Sequence, residues 1–462
     1  MGKYEFSKVE RGESMEDRLL SKMFEYDRWV GLLDKADEKG INKTVLRKIS
    51  SPQVRLELYN RIKNGQYEIA PPHAINIPKD NGDFRTVYAN EDIDRIVLTL
   101  INDCAMEIFK NHIHSSCVSY QKGIGCQEIV SNIPKAMKKL YKNDGKPVAV
   151  VSDYSKFFDR ICIEAIDNCF DTMEKELGFI PNTEPVIYIL RKYYHSNLFF
   201  DIDGNLVEEY KAIKQGSATA AILSCMILYD LDEYMSNKYP LYLRYSDDSL
   251  TCADNIDEAV DDINRLASQY GIGLNPSKIK PVYVDKYFKF LGFNICGDVI
   301  TLSKNRVKKL TKEIAKATLE KPNIAPNQAK VNIKRLLYGD GDGYSWATSC
   351  FSAMKNNEKD IEVLNSYIMD CIRLCEVRYN YNKERKAKGL KPRQIKYSQA
   401  DVGGIGVVLD HEDHTLIRGK GKKIKTARQR TQKEIEHYKS IGCLLKCYKL
   451  GKPIYEATVR SI

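Results

Sequence analysis

The sequence predicts a mixed α+β fold, and three stretches of the chain carry that prediction. Apolar and aromatic residues alternate with polar ones over residues 241–252, which is the pattern of two short strands joined by a turn. An apolar, β-branched run over residues 147–153 is typical of a buried strand. Residues 52–64 and 94–109 carry apolar side chains at helical spacing. Strands and helices are therefore both expected, with acidic residues at the strand ends.

The turn between the two predicted strands contains adjacent aspartates, Asp247 and Asp248. Two neighbouring carboxylates repel each other, and each raises the pKa of the other unless a cation or water reduces the field. A divalent metal ion is one solution, since Mg²⁺ prefers oxygen ligands. A solvated turn is the other, because Asp is a common turn residue. The pair alone leaves both interpretations open.

A third carboxylate favours the metal interpretation. Asp153 stands at the end of the apolar run, where a buried strand passes into a helical segment. A strand can present a metal ligand at its carboxyl end, so Asp153, Asp247 and Asp248 together predict a three-carboxylate site. Such a site suits two divalent ions about 4 Å apart, which activate a hydroxyl and hold a triphosphate.

Five segments in order resemble the motifs of bacterial reverse transcriptases of the group II intron and retron type. The resemblance covers roughly residues 80–295, and it is most similar to stand-alone, defence-associated members. Ser217-Ala218-Thr219-Ala220-Ala221 departs from it, because the family usually has Ser-Pro there. The matching segments are the Tyr-x-Asp-Asp box at 245–248, the first carboxylate motif at 153–158, the Gln-Gly motif at 214–217, the Lys-containing motif at 273–278 and the hairpin at 290–293.

The resemblance implies a right-hand polymerase with fingers, palm and helical thumb. The expected divisions are a helical N-terminal extension at 1–70, fingers at 71–145, a palm with part of the fingers at 146–300, a helical thumb at 301–400 and a basic nucleic-acid-binding extension at 401–462.

The resemblance also implies roles for individual residues of a catalytic centre. The expected catalytic residues are Asp153, Asp247, Asp248 and Lys278, the last as a general acid for pyrophosphate. A surface Lys in a loop is an equally good interpretation of Lys278. The three aspartates, with Tyr154, are expected to hold two Mg²⁺ ions, with Mn²⁺ as an alternative.

Nucleotide binding is expected at five residues. The hairpin with Asn-Gly at its tip resembles the fingers hairpin, which implies that Lys79 and Arg85 lie over the triphosphate. Phe158 stands where the family's aromatic residue rejects a 2′-hydroxyl, so it implies dNTP selection. Gln215 and Gly216 are expected to border the nascent base pair, because glycine lets backbone approach a nucleotide closely.

Nucleic-acid contacts are expected from both the core and the tail. Tyr120, Tyr245, Leu291 and Gly292 resemble positions that face template or primer; Tyr120 may equally be read as a packed core aromatic. From residue 415 onward, thirteen Lys or Arg stand against three Glu, an excess that equals the whole chain's formal charge of +10. A solvated tail is the alternative. The tail residues predicted to bind nucleic acid are Lys420, Lys422, Lys423, Lys425, Arg428 and Arg430.

The implied activity is that of an RNA-directed DNA polymerase that extends a 3′-hydroxyl with dNTPs. The expected partners are an RNA template and the DNA product, and the expected setting is anti-phage defence with a structured non-coding RNA. A retron or intron-derived enzyme, an RNA-dependent RNA polymerase and a non-catalytic RNA-binding protein are the alternatives.

Composition favours a cytoplasmic protein without a membrane span. Thirteen cysteines without a Cys-x-x-Cys pair are typical of reduced interior thiols, and no apolar run approaches about 20 residues. A homo-oligomer is left open.

Overall fold

Helices and short strands alternate along the chain in the computed structural model, which confirms the mixed α+β class. The structure describes residues 19–79, 82–121, 125–321, 323–338, 350, 353–355, 358–395, 405–407 and 416–418. The chain divides into two compact units. The first contains residues 1–122 and 150–280, and the second contains residues 123–149 and 281–462.

Helices are the most abundant regular elements among the described residues of both units. In chain order they are α1 Leu19–Met23, α2 Tyr26–Asp34, α3 Lys43–Ile49, α4 Pro52–Lys63, α5 Asp92–Ile108, α6 Cys126–Leu140, α7 Phe157–Arg160, α8 Ile163–Glu176, α9 Pro185–His195, α10 Ala220–Met226, α11 Tyr229–Lys238, α12 Ile256–Ala267, α13 Lys304–Ala317, α14 Pro326–Tyr338 and α15 Glu358–Ala387.

The strands are short. In chain order they are β1 His73–Pro78, β2 Phe84–Ala89, β3 Ala149–Asp153, β4 Leu198–Phe200, β5 Leu206–Glu208, β6 Leu241–Tyr245, β7 Asp248–Cys252, β8 Lys280–Val282, β9 Phe288–Phe290, β10 Phe293–Cys296, β11 Val299–Leu302, β12 Ile405–Val407 and β13 Leu416–Arg418.

Two sheets position the candidate site in the first unit. One has the order β2-β1-β4-β5, and its β1–β2 pair is the antiparallel hairpin that the Asn-Gly signal predicts. The other has the order β6-β7-β3-β8, and its outer strand β8 begins at Lys280, the last residue of the first unit. Helices such as α5, α8 and α10 supply buried apolar residues to one continuous core in this unit.

The second unit combines a three-stranded sheet with long helices. Its sheet has the order β11-β10-β9, and α6 packs against β10. Helices α13, α14 and α15 pack on one another, with α13 contributing Val307, Leu310 and Ile314 to the interior.

The sequence predictions for individual helices are confirmed with two adjustments. Helix α4 covers the predicted residues 52–64, with Pro52 as its first residue. The apolar stretch 218–231 has the sequence pattern of one buried helix, but it contains α10 and α11 with a break at Ile227–Leu228. Leu228 leaves the helical conformation with ψ of 26°, and apolar residues on both sides conceal such a break from a hydropathy pattern. The thumb prediction at 360–379 lies within the longer helix α15.

Candidate active site

The Asp-Asp segment forms the tip of a tight antiparallel hairpin. Tyr245 pairs with Asp248, so Ser246 and Asp247 are the two turn residues between β6 and β7. Ser246 has φ of 59°, the left-handed conformation that two-residue hairpin turns require. Asp247 therefore stands at the tip, and Asp248 is the first residue of β7.

Strand β3 delivers Asp153 beside this tip. The amide N of Tyr154 donates a 3.0 Å hydrogen bond to the carbonyl O of Asp247, which ties the end of β3 to the turn. Below it, the hydroxyls of Ser152 and Ser249 hydrogen-bond at 2.7 Å between buried strands. The three predicted carboxylates thus come from one edge of one sheet.

Electrostatics links Asp247 to three other predicted site residues. Burial raises the pKa of the Asp247 carboxyl, and repulsion from Asp153 raises it further. The positive charges of Arg85 and Lys278 oppose this rise in pKa. Two carboxylates and two cations, drawn from four distant parts of the sequence, therefore act on one another at this tip.

Lys278 contacts Asp153 directly. Its Nζ donates to Asp153 Oδ2 at 2.6 Å, and the lysine side chain is 54% exposed. The amide N of Asn275 also donates to the carbonyl O of Asp153 at 2.8 Å, so the 275–278 turn is fixed beside β3. The lysine that the sequence allowed as a surface residue is therefore a salt-bridge partner of a candidate metal ligand.

The donor set fits Mg²⁺, although it is not a complete cage of protein ligands. Among the residues that the structure describes, no three His, Cys, Asp or Glu side chains are grouped to hold a metal ion. Mg²⁺ usually takes only one or two carboxylates and completes its shell with water and substrate phosphates. The mutual repulsion of Asp153 and Asp247 is what a divalent cation would relieve.

Tyr154 contributes little to the site through its side chain. Its ring is 1% exposed, and its hydroxyl lies 3.4 Å from the hydroxyl of Tyr242 in the core. The predicted metal contact of Tyr154 would have to come from its backbone, and it stays a prediction.

The Gln-Gly motif packs directly on the fingers hairpin. The carbonyl O of Gln215 accepts a 2.7 Å hydrogen bond from the amide N of Tyr88 in β2. Gly216 has φ of +112°, and a Cβ there would lie 3.1 Å from the amide N of Tyr88. Glycine is therefore required by the close approach of β2, the strand that also carries Arg85.

The remaining nucleotide-binding candidates lie near the same elements. Arg85 is exposed on β2 opposite Ile77, and the amide of Lys79 bonds the carbonyl O of Asp83 at 2.7 Å across the hairpin. Phe158 is partly buried, with its ring edge-on to Phe157 at 5.1 Å. The role of Phe158 as a sugar gate stays a prediction.

Tyr120 and Tyr245 lie side by side. Their ring centroids are 6.2 Å apart, Tyr120 is 49% exposed, and its backbone has φ of 57°. A half-exposed aromatic beside the hairpin tip favours a surface role for Tyr120 over the packed-core alternative.

Leu291 and Gly292 form a turn in the second unit. Leu291 has φ of 46° and Gly292 has φ of 80°. Arg306 of α13 donates from Nη2 to the carbonyl O of Leu291 at 2.9 Å, and its guanidinium lies 4.2 Å from the Phe293 ring centroid. A Cβ on Gly292 would lie 2.3 Å from Arg306 Nε, so this position requires glycine.

Arg244 is a positioning residue that sequence reasoning missed. Its fully buried guanidinium pairs with both carboxylate oxygens of Asp232, at 2.7 and 2.6 Å. It also donates to the carbonyl O atoms of Ser224 and Ser246, at 2.7 and 3.3 Å. One side chain thus joins α10, α11 and the Asp247 turn.

The alternation in β6 conceals Arg244. Tyr242 and Arg244 are the buried residues of this strand, whereas Leu241, Leu243 and Tyr245 are only partly buried. The period of two is as predicted, but the face with the arginine is the inner one. An arginine on a strand face offers no sequence signal for its partner, because Asp232 lies on another element.

The tail residues predicted to bind nucleic acid, Lys420, Lys422, Lys423, Lys425, Arg428 and Arg430, lie outside the described residues. In the part of the chain that is described, no helix combines the length and apolar character needed to cross a membrane.

Comparison with known proteins gives a family match for the central part of the chain. Residues 77–295 match the family described as reverse transcriptase (RNA-dependent DNA polymerase). The putative COX1/OXI3 intron 2 protein of Saccharomyces cerevisiae is 24% identical over 200 residues, which cover 43% of this chain and 21% of that protein. This chain therefore spans about a fifth of the length of that curated relative.

Solved structures with weaker similarity include two polymerases. Apo telomerase from Candida tropicalis is 15% identical, with 51% of this chain and 56% of that chain covered and a TM-score of 0.38. The RNA-dependent RNA polymerase of a human picobirnavirus is 13% identical, with 69% and 61% covered and a TM-score of 0.41.

The matched segment contains both carboxylate motifs, the Gln-Gly turn, the Lys278 turn and the Leu291–Gly292 turn. Residues 77–295 therefore resemble the reverse transcriptase family, which is described as RNA-dependent DNA polymerase.

Proposed function

We propose that this chain copies RNA into DNA, extending a 3′-hydroxyl with dNTPs by two-metal catalysis. The observation that carries the proposal is the junction between β3 and the Asp247 turn, where Tyr154 N bonds Asp247 O and the Asp153 charge acts on the Asp247 carboxyl. Divalent ions bound there would lower the pKa of the attacking hydroxyl and neutralise the triphosphate.

The chain's own residues have separate tasks in this proposal. Asp153 and Asp247, with Asp248 assisting, hold two Mg²⁺ ions, for which Mn²⁺ can substitute. Lys278 leaves Asp153 when substrate arrives and donates a proton to the leaving pyrophosphate, because its ammonium is already within 2.6 Å of a ligand carboxylate.

Substrate selection depends on the neighbouring elements. Arg85, with Lys79, donates to the triphosphate from the fingers hairpin as a charge-assisted partner. Phe158 excludes the 2′-hydroxyl, and the Gln215–Gly216 turn borders the nascent base pair. Tyr120 and Tyr245 face the template, and Leu291 with Gly292 contacts the primer.

The domain arrangement belongs to the same proposal. We assign fingers to 71–145, palm to 146–300, thumb to 301–400 and a nucleic-acid-binding extension to 401–462. The excess of Lys and Arg after residue 415 supports a nucleic-acid backbone as the partner, with an affinity that should fall as salt rises.

The biological setting we propose is anti-phage defence with a structured non-coding RNA. An intron-derived or retron enzyme is the second candidate, and the identity to a yeast intron protein favours it. The two differ in the nucleic acid that they bind: a dedicated non-coding RNA in one case, and the flanking intron or retron RNA in the other.

The test is to sequence nucleic acid that co-purifies with the wild type and with Asp247→Ala/Asp248→Ala, each expressed beside its native flanking DNA. We expect a discrete RNA in both samples and complementary DNA in the wild type alone. Purified wild type should also incorporate dNTPs on that RNA in the presence of Mg²⁺. RNA binding with no metal-dependent synthesis under any condition would instead support a non-catalytic RNA-binding protein.

A further inference from the structure

Lys214 is a buried cation next to the Gln215–Gly216 turn. Its side chain is 1% exposed, and its Nζ donates to the carbonyl O of Tyr193 at 2.6 Å. Tyr193 lies in the last turn of α9, where the helix dipole concentrates partial negative charge. The Nζ also lies 4.5 Å from the Tyr193 ring centroid and 5.5 Å from that of Tyr194. A helix end and two aromatic rings thus surround the ammonium.

This environment is costly for a charge. In the described part of the chain, the hydrogen bond and the ring contacts of Lys214 involve no carboxylate. Burial lowers the pKa of the Lys214 ammonium to about 8, because the charged form loses hydration. An apolar side chain would fill the same space without this cost, so the interior packing alone does not explain a lysine here.

The backbone of Lys214 opens the turn that carries Gln215 and Gly216. The amide N of Ser217 bonds the carbonyl O of Lys214 at 3.0 Å and closes the turn. Lys214 itself has φ of 49°, a strained conformation for a lysine. The turn is therefore held at two points: the Lys214 side chain fixes one end to α9, and Tyr88 fixes the middle to β2.

We propose that Lys214 is a positioning residue, whose ammonium at the carboxyl end of α9 holds the Gln215–Gly216 turn in the geometry that the incoming nucleotide needs. The inference rests on the proposed function of that turn, and it assigns Lys214 no contact with substrate. When the ammonium loses its proton, the cation–π contacts disappear and the bond to Tyr193 O loses its charge. The turn is then free to shift, which weakens nucleotide binding and leaves the chemical step unchanged.

The groups around Lys214 do not titrate in the same range. Burial raises the pKa of the Tyr194 phenol to about 12 and also raises that of Tyr193. On β2, burial together with the negative charges of Asp159 and Glu209 raises the pKa of Tyr88 to about 12. Asp94 of α5 acts on Tyr193 and carries a raised pKa because of burial. The three tyrosines titrate well above pH 8, so a transition near pH 8 that Lys214→Met removes is assigned to Lys214.

The experiment measures KM for dNTP and kcat separately between pH 6.5 and pH 9.5. The variants are Lys214→Met, Lys214→Arg and the control Lys211→Met, three residues earlier, whose ammonium pairs with Glu209. We expect the wild-type KM to rise several-fold through about pH 8 while kcat keeps the same profile as the control. Lys214→Met should raise KM about tenfold at pH 7 and remove the transition, since about tenfold corresponds to one good charge-assisted contact. Lys214→Arg should keep a low KM to higher pH.

A second measurement needs no catalysis. Hydrogen exchange of the amides in residues 213–218 and 84–89 should be faster in Lys214→Met than in Lys211→Met at one fixed pH, because both anchors of the turn lie there. A wild-type enzyme without dNTP incorporation overturns the proposed function but not the positioning role, if this exchange difference is present. Unchanged exchange together with an unchanged KM in Lys214→Met overturns the role of Lys214, even if the enzyme is active.

Discussion

Two turns of this protein hold a residue in the left-handed backbone conformation, and each is stabilised by an arginine in different surroundings. The Ser246–Asp247 turn in the first unit and the Leu291–Gly292 turn in the second each place a non-glycine residue at positive φ, 59° for Ser246 and 46° for Leu291. An arginine donates to a turn carbonyl in both cases, at 3.3 Å from Arg244 and 2.9 Å from Arg306. The arginines differ in their surroundings.

Arg244 is fully buried and pairs with Asp232, whereas Arg306 is partly exposed and lies over the Phe293 ring. A buried ion pair resists displacement, because removing either partner leaves an uncompensated charge in the interior. An arginine over an aromatic ring is held by weaker contacts. The difference predicts that the Ser246–Asp247 turn is held more firmly than the Leu291–Gly292 turn.

The largest effect is expected at the tip of the fixed turn. Asp247→Asn removes a charge from the proposed metal site while keeping its size, so DNA synthesis should fall by about a thousandfold or more. The measurement is dNTP incorporation on an RNA template, with RNA binding as the reference. Asp203→Asn, on an exposed hairpin between β4 and β5, is the control and should keep wild-type synthesis. Synthesis retained in Asp247→Asn would remove the turn from the catalytic centre.

The second effect compares the two arginines directly. Arg244→Met leaves Asp232 buried and unpaired, so the free energy of unfolding should fall by about 3–5 kcal/mol. Arg306→Met should cost about 1 kcal/mol, since the guanidinium loses one carbonyl and one ring contact. Urea-induced unfolding of the full chain measures both. Arg244→Met/Asp232→Leu should recover much of the loss, and equal losses in the two single variants would contradict the comparison.

The third effect concerns the space at Gly292. Gly292→Ala places a Cβ 2.3 Å from Arg306 Nε at φ of +80°, so it must displace the arginine and should weaken primer–template binding about tenfold. Gly297→Ala is the matched control, because φ is also positive there and the nearest atom is 3.8 Å away. Primer–template titration in the absence of dNTPs measures both. Equal affinities in the two variants would show that the Arg306 contact does not shape this turn.

The smallest effect follows from the raised pKa of Asp247. A carboxyl whose pKa is higher in the folded than in the unfolded protein binds extra protons when folded, so its ionisation lowers stability as pH rises from the ordinary Asp range through the raised value. At pH 7 without divalent ions, Asp247→Asn should therefore melt about 1–2 °C above the wild type. Mg²⁺ should raise the melting temperature of the wild type more than that of the variant. Thermal melts with and without Mg²⁺ check this, and a lower metal-free melting temperature in Asp247→Asn would show that its charge is not a source of strain.

The sequence predicted the residues of the candidate site better than the buried residues that hold them in place. Asp153, Asp247 and the Gln215–Gly216 turn lie at strand ends and turns, where residue type and local pattern are informative. The grouping of Asp153 with Asp247 and Asp248 was predicted from the residues, whereas the place of the Gln215–Gly216 turn beside them was predicted only through the family resemblance. The contacts that join these parts, such as the hydrogen bond from Tyr154 N to Asp247 O, link residues about a hundred positions apart.

The buried residues that hold the site in place, Arg244 and Lys214, could not be recognised from local sequence patterns. Each of them depends on a partner in another helix or strand. Arg244 stands in the alternating pattern of strand β6. Only its ion pair with Asp232 on α11 compensates for the burial of its charge. Lys214 stands in a loop where a lysine is normally exposed, and the end of α9 explains why it is not. The break between α10 and α11 was missed for another reason. Apolar residues stand on both sides of it, so the sequence pattern gives no signal for a break.

The interrupted first unit has a consequence for synthesis on the ribosome. The chain leaves that unit at residue 122, spends residues 123–149 in the second unit and then returns. Helix α6 therefore emerges long before β10, the strand against which it packs, at residues 293–296. At about 5–20 residues per second, roughly 8–30 s separate the two elements. During that interval α6 lacks the strand against which it packs, so its apolar side chains are expected to stay accessible until residues 293–296 emerge.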